Sequence, residues 1–560
     1  MEKHRWLVQP VLTLGLIIAA AGAVLGTLRG RPAIERPKRV LADYDAVGFQ
    51  STLDRLNDSI DAMAEREGLE AAPRADSLTV ARRVSLALVG SGLSLEEVRA
   101  LKLVDEDQRV QWWTNYLLED DRWSDYFAER FARAFVGTAD GPFLLFRRRK
   151  FNMWLSDQFQ QNRPYDETVA DMLAAEGLWT DTPQVNFITA TMSAENEKRS
   201  DPVLLAGRVS RALLAQRIDC LQCHDDFLGT AEFGSSEDRQ GGTQMHFHAL
   251  ASFFSGTALP DVALVGIRED GRDYEVQLLG DEEPTVIEPD VPFDSPPLPI
   301  DGKPRERLAE WVTHQDNRAF ARATVNRVWA LLLSRPLVDP VDNIPAFMPV
   351  PDALDVLAED FAENRFDIKR LIRLIVKSNA FQRGSRADFA ITEQHEEAWA
   401  AFPITQLRPE QVAKSIAQAC RLRAIDEASS IVTRLQVFGQ SQDFLKRFGD
   451  RGEDEFDSDA VTIAQRLLVM NGNVVRESTK NNLVGNASSR IAALVEDDSK
   501  AINAAFLATL NREPSAAEAE RFIVHLAGPS GNGRSGNDRA GAMEDVFWAI
   551  INSTEFSWNH

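Results

Sequence analysis

The stretch VLLAGRVSRALLAQRIDCLQCH, residues 203–224, sets the reading of the whole chain. Leu204, Val209, Leu213 and Leu214 recur at helical spacing, so the pattern predicts a helix over Val203–Ile218 that runs straight into Cys220. The stretch then closes on Cys220-Leu221-Gln222-Cys223-His224, the C-x-x-C-H pattern of covalent haem attachment. The spacing has a chemical reason. Two thiols must each reach one vinyl group on one edge of a porphyrin, and the adjacent imidazole must swing beneath the ring to ligate iron through a neutral nitrogen. A helix delivering its end to the motif supplies the rigid lead-in that this needs.

The rest of the chain narrows what the motif can mean. Only three cysteines occur in 560 residues, and two of them are here. Eight histidines are too few for several haems with a His pair each, and the single motif allows one. The third cysteine, Cys420, stands in an apolar helical pattern and reads as a buried core position. A net charge of −23 argues against phosphate-backbone binding, so no nucleic-acid partner is expected. Trp6 to Leu28 carries no charge, and its 23 residues are long enough to cross a bilayer once. A cleaved signal peptide with Ala21 and Ala23 at its cleavage site is the alternative. Arg29, Arg31, Arg36, Lys38 and Arg39 follow, and their positive-inside count alone would keep the body in the cytoplasm. Haem attachment requires the opposite side. The expectation is therefore a body facing the periplasm on an inner-membrane anchor, or a secreted protein if the segment is cleaved.

Helical patterns dominate on both sides of the motif. Leu53, Leu56, Ile60 and Met63 place one amphipathic stalk or packing helix between Asp43 and Glu70. Ser94 is an N-cap signal, and Ser515 with Glu518 is a capping-box signal. Glu232 to Gly242 reads as a polar, Gly-rich loop. Val262–Ile267 and Tyr274–Leu278, joined through Asp270-Gly271, read as a β-hairpin. The prolines between Glu282 and Pro304 mark an extended, solvated connector. The expected fold is mainly α: a multi-helix, two-domain protein with a small β-hairpin insertion and an N-terminal transmembrane helix. Its segments are 1–40 (anchor or signal), 41–73 (stalk helix and linker), 74–258 (the domain with the motif), 259–304 (hairpin and connector) and 305–560 (a helical C-terminal domain).

Several stretches, in order, resemble the planctomycete secreted cytochrome-like proteins. In the first half they are Ala81-Arg82-Arg83-Val84-Ser85-Leu86, Asn162-Arg163-Pro164-Tyr165-Asp166 and the segment from Gln216 to His224. In the second they include Asn326-Arg327-Val328-Trp329, Leu337-Val338-Asp339-Pro340-Val341-Asp342 and Asn511-Arg512-Glu513-Pro514. The family joins a cytochrome-like (PSCyt-type) domain of unknown function to a planctomycete-specific C-terminal (PSD-type) domain of unknown function. The resemblance implies export and a cytochrome-like role, and hints at polysaccharide metabolism. This chain departs from it where relatives carry a second His followed by Pro-Phe, since Asp226-Phe227-Leu228 stand there.

The expected cofactor is haem c, held by Cys220 and Cys223 with His224 as proximal ligand. The distal ligand is sought in Met245, His246 or His248, beyond a loop that can fold back. Zinc on the two thiols plus two histidines is the alternative, and a plain disulfide is a third reading. Asp225 and Asp226 read as solvated loop carboxylates rather than an acid–base pair, and Asp339 and Asp342 as turn residues around Pro340. Arg147-Arg148-Arg149-Lys150 is a solvated face or a patch for sulfated sugar. Three functions are compatible with these readings: an electron carrier with a redox partner protein, a haem- or metal-dependent oxidoreductase acting on polysaccharide, or a scaffold whose C-x-x-C-H is structural.

Overall fold

The computed structural model describes residues 43–138, 146–192, 199–259, 266–449, 473–480, 486–528 and 536–560, with single positions at 456, 470 and 482. The fold is mainly helical, with a few short strands. In the first half α1 (Phe49–Arg66), α2 (Ser77–Val89), α3 (Leu95–Leu101), α4 (Arg109–Leu118), α5 (Asp121–Val136), α6 (Arg148–Gln160), α7 (Tyr165–Ala174) and α8 (Pro202–Leu214) lead to the motif. The hairpin β1 (Glu232–Gly234) and β2 (Arg239–Gly241), then α9 (Gln244–Ser252), follow it. Next come the strand pairs β3 (Thr257–Ala258) with β4 (Arg268–Glu269) and β5 (Glu275–Val276) with β6 (Thr285–Val286), both antiparallel. The second half contains α10 (Pro304–Val312), α11 (Arg318–Leu333), α12 (Asp352–Glu363), α13 (Ile368–Lys377), β7 (Thr405–Gln406), α14 (Pro409–Ala419) and α15 (Ile431–Phe448). It ends with α16 (Ala487–Leu494), α17 (Asp498–Thr509), α18 (Ala516–Ala527), α19 (Gly536–Ile551) and β8 (Trp558–Asn559), which pairs back onto β7.

Local sequence accounts for many helix starts. Ser94 and Glu97 form a reciprocal capping box at α3, and Ser515 and Glu518 do the same at α18, each satisfying two of the donors that a helix leaves unpaired at its start. Along α1, Leu53, Leu56 and Ile60 form the buried stripe, and the helix packs on α12 of the second half. Thr52 Oγ1 donates to Asp360 Oδ1 at 2.8 Å, and Arg370 grips the same carboxylate with two hydrogen bonds of 2.7 and 2.9 Å.

The two halves share one hydrophobic core. α8 packs against α11 and α10 against α7, with the Tyr165 and Phe320 rings stacked 5.5 Å apart at 7°. Arginines join the halves where an apolar residue would do less. Arg82 donates to the carbonyls of Phe556 and Trp558 at 3.2 Å each. Arg83, buried and lying over the Phe402 ring, donates to the carbonyls of Phe381, Arg383 and His560 at 2.8, 2.7 and 2.9 Å. Arg305 collects the carbonyls of Leu173 and Ala175 where α7 ends. Asn326 holds both backbone groups of Val338.

The structure corrects the sequence reading in four places. The N-terminal transmembrane helix is withdrawn from the fold class: no helix among the described residues is long and apolar enough to cross a membrane. Residues 6–28, on which that expectation fell, lie outside the described residues. α8 stops at Leu214 instead of running into Cys220. Ala215 turns left-handed (φ 49°), and the Gln216 N–H reaches back to the Ser210 carbonyl at 2.8 Å. Tyr274–Leu278 has a strand partner other than the expected one, Val262–Ile267, of which residues 262–265 lie outside the described residues. The strand it contains, β5, pairs forward with β6, inside the stretch expected to be a solvated connector. The supposed loop Glu232–Gly242 contains the β1–β2 hairpin.

Candidate functional site

The motif sits on a short turn that is fixed from several sides. Asp201 caps α8 by accepting from the Val203 and Leu204 N–H groups at 3.0 and 3.1 Å. Beyond Ala215 the chain pairs with a loop of the second half. The Ile344 N–H donates to the Ala215 carbonyl at 2.8 Å, and Gln216 Nε2 donates to the Ile344 carbonyl at 2.7 Å. Arg217 Nε reaches Asp342 Oδ1 at 2.7 Å, and Arg211 Nε reaches Asp219 Oδ2 at 2.7 Å. Gly207 leaves the space that Asp219 occupies, since a Cβ there would meet Asp219 Oδ1 at 2.8 Å.

Asp219–Gln222 forms a 3-10 turn, and the Cys223 N–H closes onto the Cys220 carbonyl at 3.3 Å. The i→i+3 closure brings the backbones of Cys220 and Cys223 one tight turn apart. Both thiols are exposed and free, whereas Leu221 between them is fully buried and anchors the turn. Gly242 makes room for that anchor: a Cβ there would meet Leu221 Cδ1 at 2.8 Å and Ala231 Cβ at 3.0 Å.

His224 is also exposed. Its Nδ1 lies 2.8 Å from the Asp225 carbonyl, and its ring is stacked on Phe227 with centroids 6.0 Å apart. A carbonyl can only accept, so Nδ1 carries a proton and donates to it. Metal-ligating imidazoles are oriented in this same way, with the second ring nitrogen donating to a carbonyl or carboxylate.

The other two histidines have different tasks. His248 is buried. Its Nε2 lies 3.2 Å from the Gln222 carbonyl, so it donates there, and Nδ1 accepts from the Tyr274 hydroxyl at 2.9 Å. His246 Nδ1 accepts from the Thr243 N–H at 3.1 Å, capping α9, while its ring stacks on Phe233 at 4.5 Å. Burial lowers the pKa of both, which keeps both neutral.

The two aspartates fasten the loop. Asp225 Oδ1 accepts from the Gln244 N–H at 2.8 Å. Asp226 accepts from the Ala231, Leu228 and Gly229 N–H groups at 2.6, 2.9 and 3.1 Å, and these bonds, Ala231 foremost, hold its carboxyl below the usual range. They are structural clasps, more engaged than solvated loop acids would be. Asp342 goes beyond a turn role, because it receives the arginine that leads into the motif.

These residues fit a covalently attached haem on the attachment side. Two exposed, free thiols stand three positions apart on one short turn, and the adjacent imidazole donates through Nδ1, which leaves Nε2 as the nitrogen for a ligand. The distal side is not supplied by His246 or His248, whose lone pairs are already engaged, so of that set only Met245, 43% exposed, is free. For zinc the fit fails. Among the described residues no three or more His, Cys, Asp or Glu side chains are grouped to hold a metal ion, and the two histidines needed to complete the tetrahedron are engaged elsewhere.

Residues 55–233 match PSCyt2, a protein of unknown function (DUF1549), and residues 304–427 match PSD1, a protein of unknown function (DUF1553). The chain belongs to the PSCyt2–PSD1 family. No curated protein and no solved structure matches it. The PSCyt2 region ends at β1, just beyond the motif, and the PSD1 region contributes Asp342 and Ile344, which hold the lead-in. Sequence reasoning missed Ile344 and the role of Tyr274, and placed Asp342 only as a turn residue. The Arg217–Asp342 pair spans 125 positions, which no spacing rule reaches, although the Leu337–Asp342 stretch belongs to the resemblance.

Proposed function

We propose that this PSCyt2–PSD1 protein is an exported carrier of one covalently attached haem and passes single electrons to or from a partner. Cys220 and Cys223 would form the two thioethers, with His224 Nε2 as proximal ligand. The observation that carries the reading is three exposed side chains on one short turn. Cys220 and Cys223 are free, and His224 Nδ1 donates to the Asp225 carbonyl, which leaves Nε2 as the nitrogen for a ligand. The attached group would supply a one-electron ferrous/ferric couple. The chain's own residues would keep the turn rigid: Leu221 from below, His248 through the Gln222 carbonyl, and Asp342 through Arg217.

The test is expression with the haem-attachment machinery in a bacterial periplasm, followed by a visible spectrum and an intact mass. The expected result is a coloured protein whose haem survives denaturation and extraction. Cys223→Ala should lose stable attachment. A colourless protein with both thiols free, or joined as a Cys220–Cys223 disulfide, overturns the proposal; the disulfide outcome would make the turn a redox dithiol instead.

A further inference from the structure

We propose that the face around the motif is a docking surface for a small basic protein whose lysines or arginines ring an apolar centre. The inference deepens the electron-carrier reading and rests on it for its biological sense. The surface itself is argued independently. Four apolar side chains on neighbouring segments stand open to solvent there: Phe227 (84% exposed), Leu228 (87%), Leu279 (73%) and Met245. Hydrogen bonds join the segments that carry them. Asp225 accepts from the Gln244 N–H, and Gln244 Oε1 accepts from the Leu279 N–H at 3.1 Å. Soluble proteins seldom leave such a group of apolar side chains uncovered without a partner for it.

The charge beside this patch states the partner's chemistry. Leu279 lies in the turn between β5 and β6. From Asp273 to Asp290 the chain carries seven carboxylates and no Lys or Arg. All seven residues are exposed, and none forms an ion pair with a described residue. Elsewhere the acids of this chain are repeatedly matched with arginine, as at Asp360, Asp355 and Glu518. The β5–β6 segment is held on the motif by the Tyr274–His248 bond and by the Asp290 N–H donating to the Ala249 carbonyl. An uncompensated negative rim beside an apolar centre complements a cationic ring around an apolar edge, an arrangement that accelerates encounter and sets orientation.

The experiment measures binding of the full-length protein to two probes, a basic monohaem cytochrome c and an oligolysine of similar charge, at low and at physiological ionic strength. The cytochrome should bind better than oligolysine, with an association rate that falls as salt rises. The rim variant Asp281→Asn/Glu282→Gln/Glu283→Gln should slow association by about tenfold or more at low salt. Leu279→Ser should speed dissociation and leave the salt dependence unchanged. A control that removes three exposed acids elsewhere, Glu65→Gln/Glu67→Gln/Glu70→Gln, should bind as wild type. The proposal is overturned if the rim variant binds as wild type does, if the control weakens binding equally, or if oligolysine binds as well as the cytochrome. Running the assay on protein made with the haem-attachment machinery separates the two readings. Binding by a protein that acquires no haem there sinks only the electron-carrier role, and haem without binding sinks only this surface.

Discussion

His224 and His248 lie 24 positions apart and are fixed by opposite logic. His224 uses one ring nitrogen on a backbone carbonyl and is otherwise exposed, whereas both ring nitrogens of His248 are used inside the protein. Removing the buried ring should therefore damage the fold. His248→Ala strands the Gln222 carbonyl and the Tyr274 hydroxyl and is expected to cost about 1–3 kcal/mol, measured by urea unfolding. The pH dependence has a definite sign. Burial lowers the His248 pKa from its ordinary 6.5, so below about pH 6.5 the unfolded chain takes up the proton first. Stability should fall as pH drops through that value and level off below the folded-state pKa, and His248→Asn should flatten the slope between pH 7 and 5. His246, whose pKa burial also lowers, acts in the same direction. The sequence made the three histidines candidates by proximity to the motif. It could not rank them, because the distinction lies in the acceptor each nitrogen faces, and Tyr274 and the Gln222 carbonyl are brought to His248 only by the fold.

At the level of elements, the motif turn depends on room made by glycine and on a loop from the other half. Gly242→Ala would press a Cβ against Leu221, Ala231 and Phe233, all buried, so a loss of about 1–3 kcal/mol is expected on denaturant titration. The same substitution should lower the yield of covalently attached haem, because Leu221 is the anchor between the two thiols. Periodicity found the helices well where one side of the pattern is apolar, as in Leu53, Leu56 and Ile60 of α1, and side-chain chemistry marked Ser94 and Ser515 as starts. It failed at the end of α8. Nothing in Ala215-Gln216-Arg217 breaks a helix, and the break comes from pairing with Ile344. It failed again at β5, where Asp270-Gly271 looked like a hairpin turn but the strand pairs with Thr285–Val286 instead. Short strands of two or three residues have too little alternation to declare their partners.

Over the whole molecule, the PSCyt2 and PSD1 regions are one folding unit by packing. Heat or urea should unfold them in a single transition, and two resolved calorimetric transitions would contradict the shared core. A buried charge group ties them together. Arg130 of α5 meets Glu410 of α14 at 2.9 Å, and Arg408 approaches the same oxygen at 3.2 Å. Burial pushes the Glu410 carboxyl up, but the charges of Arg130, Arg408 and Arg133 outweigh it and hold the pKa at about 2. Glu410→Gln removes the carboxylate at the centre of this buried group and is expected to destabilise by about 3–5 kcal/mol. Because the folded-state pKa is depressed, the carboxylate's contribution is complete above about pH 4.5 and is lost as pH falls toward 2. The gap between wild type and Glu410→Gln should narrow over that range.

Arg82 finds the Phe556 carbonyl 474 positions further on, and Arg83 a second one 477 positions away. Neither guanidinium can take up its final partners until residues 556–560 have packed back against Ser77–Val89. Such distant pairings carry a large loop-closure entropy, so they set late in the folding of the chain.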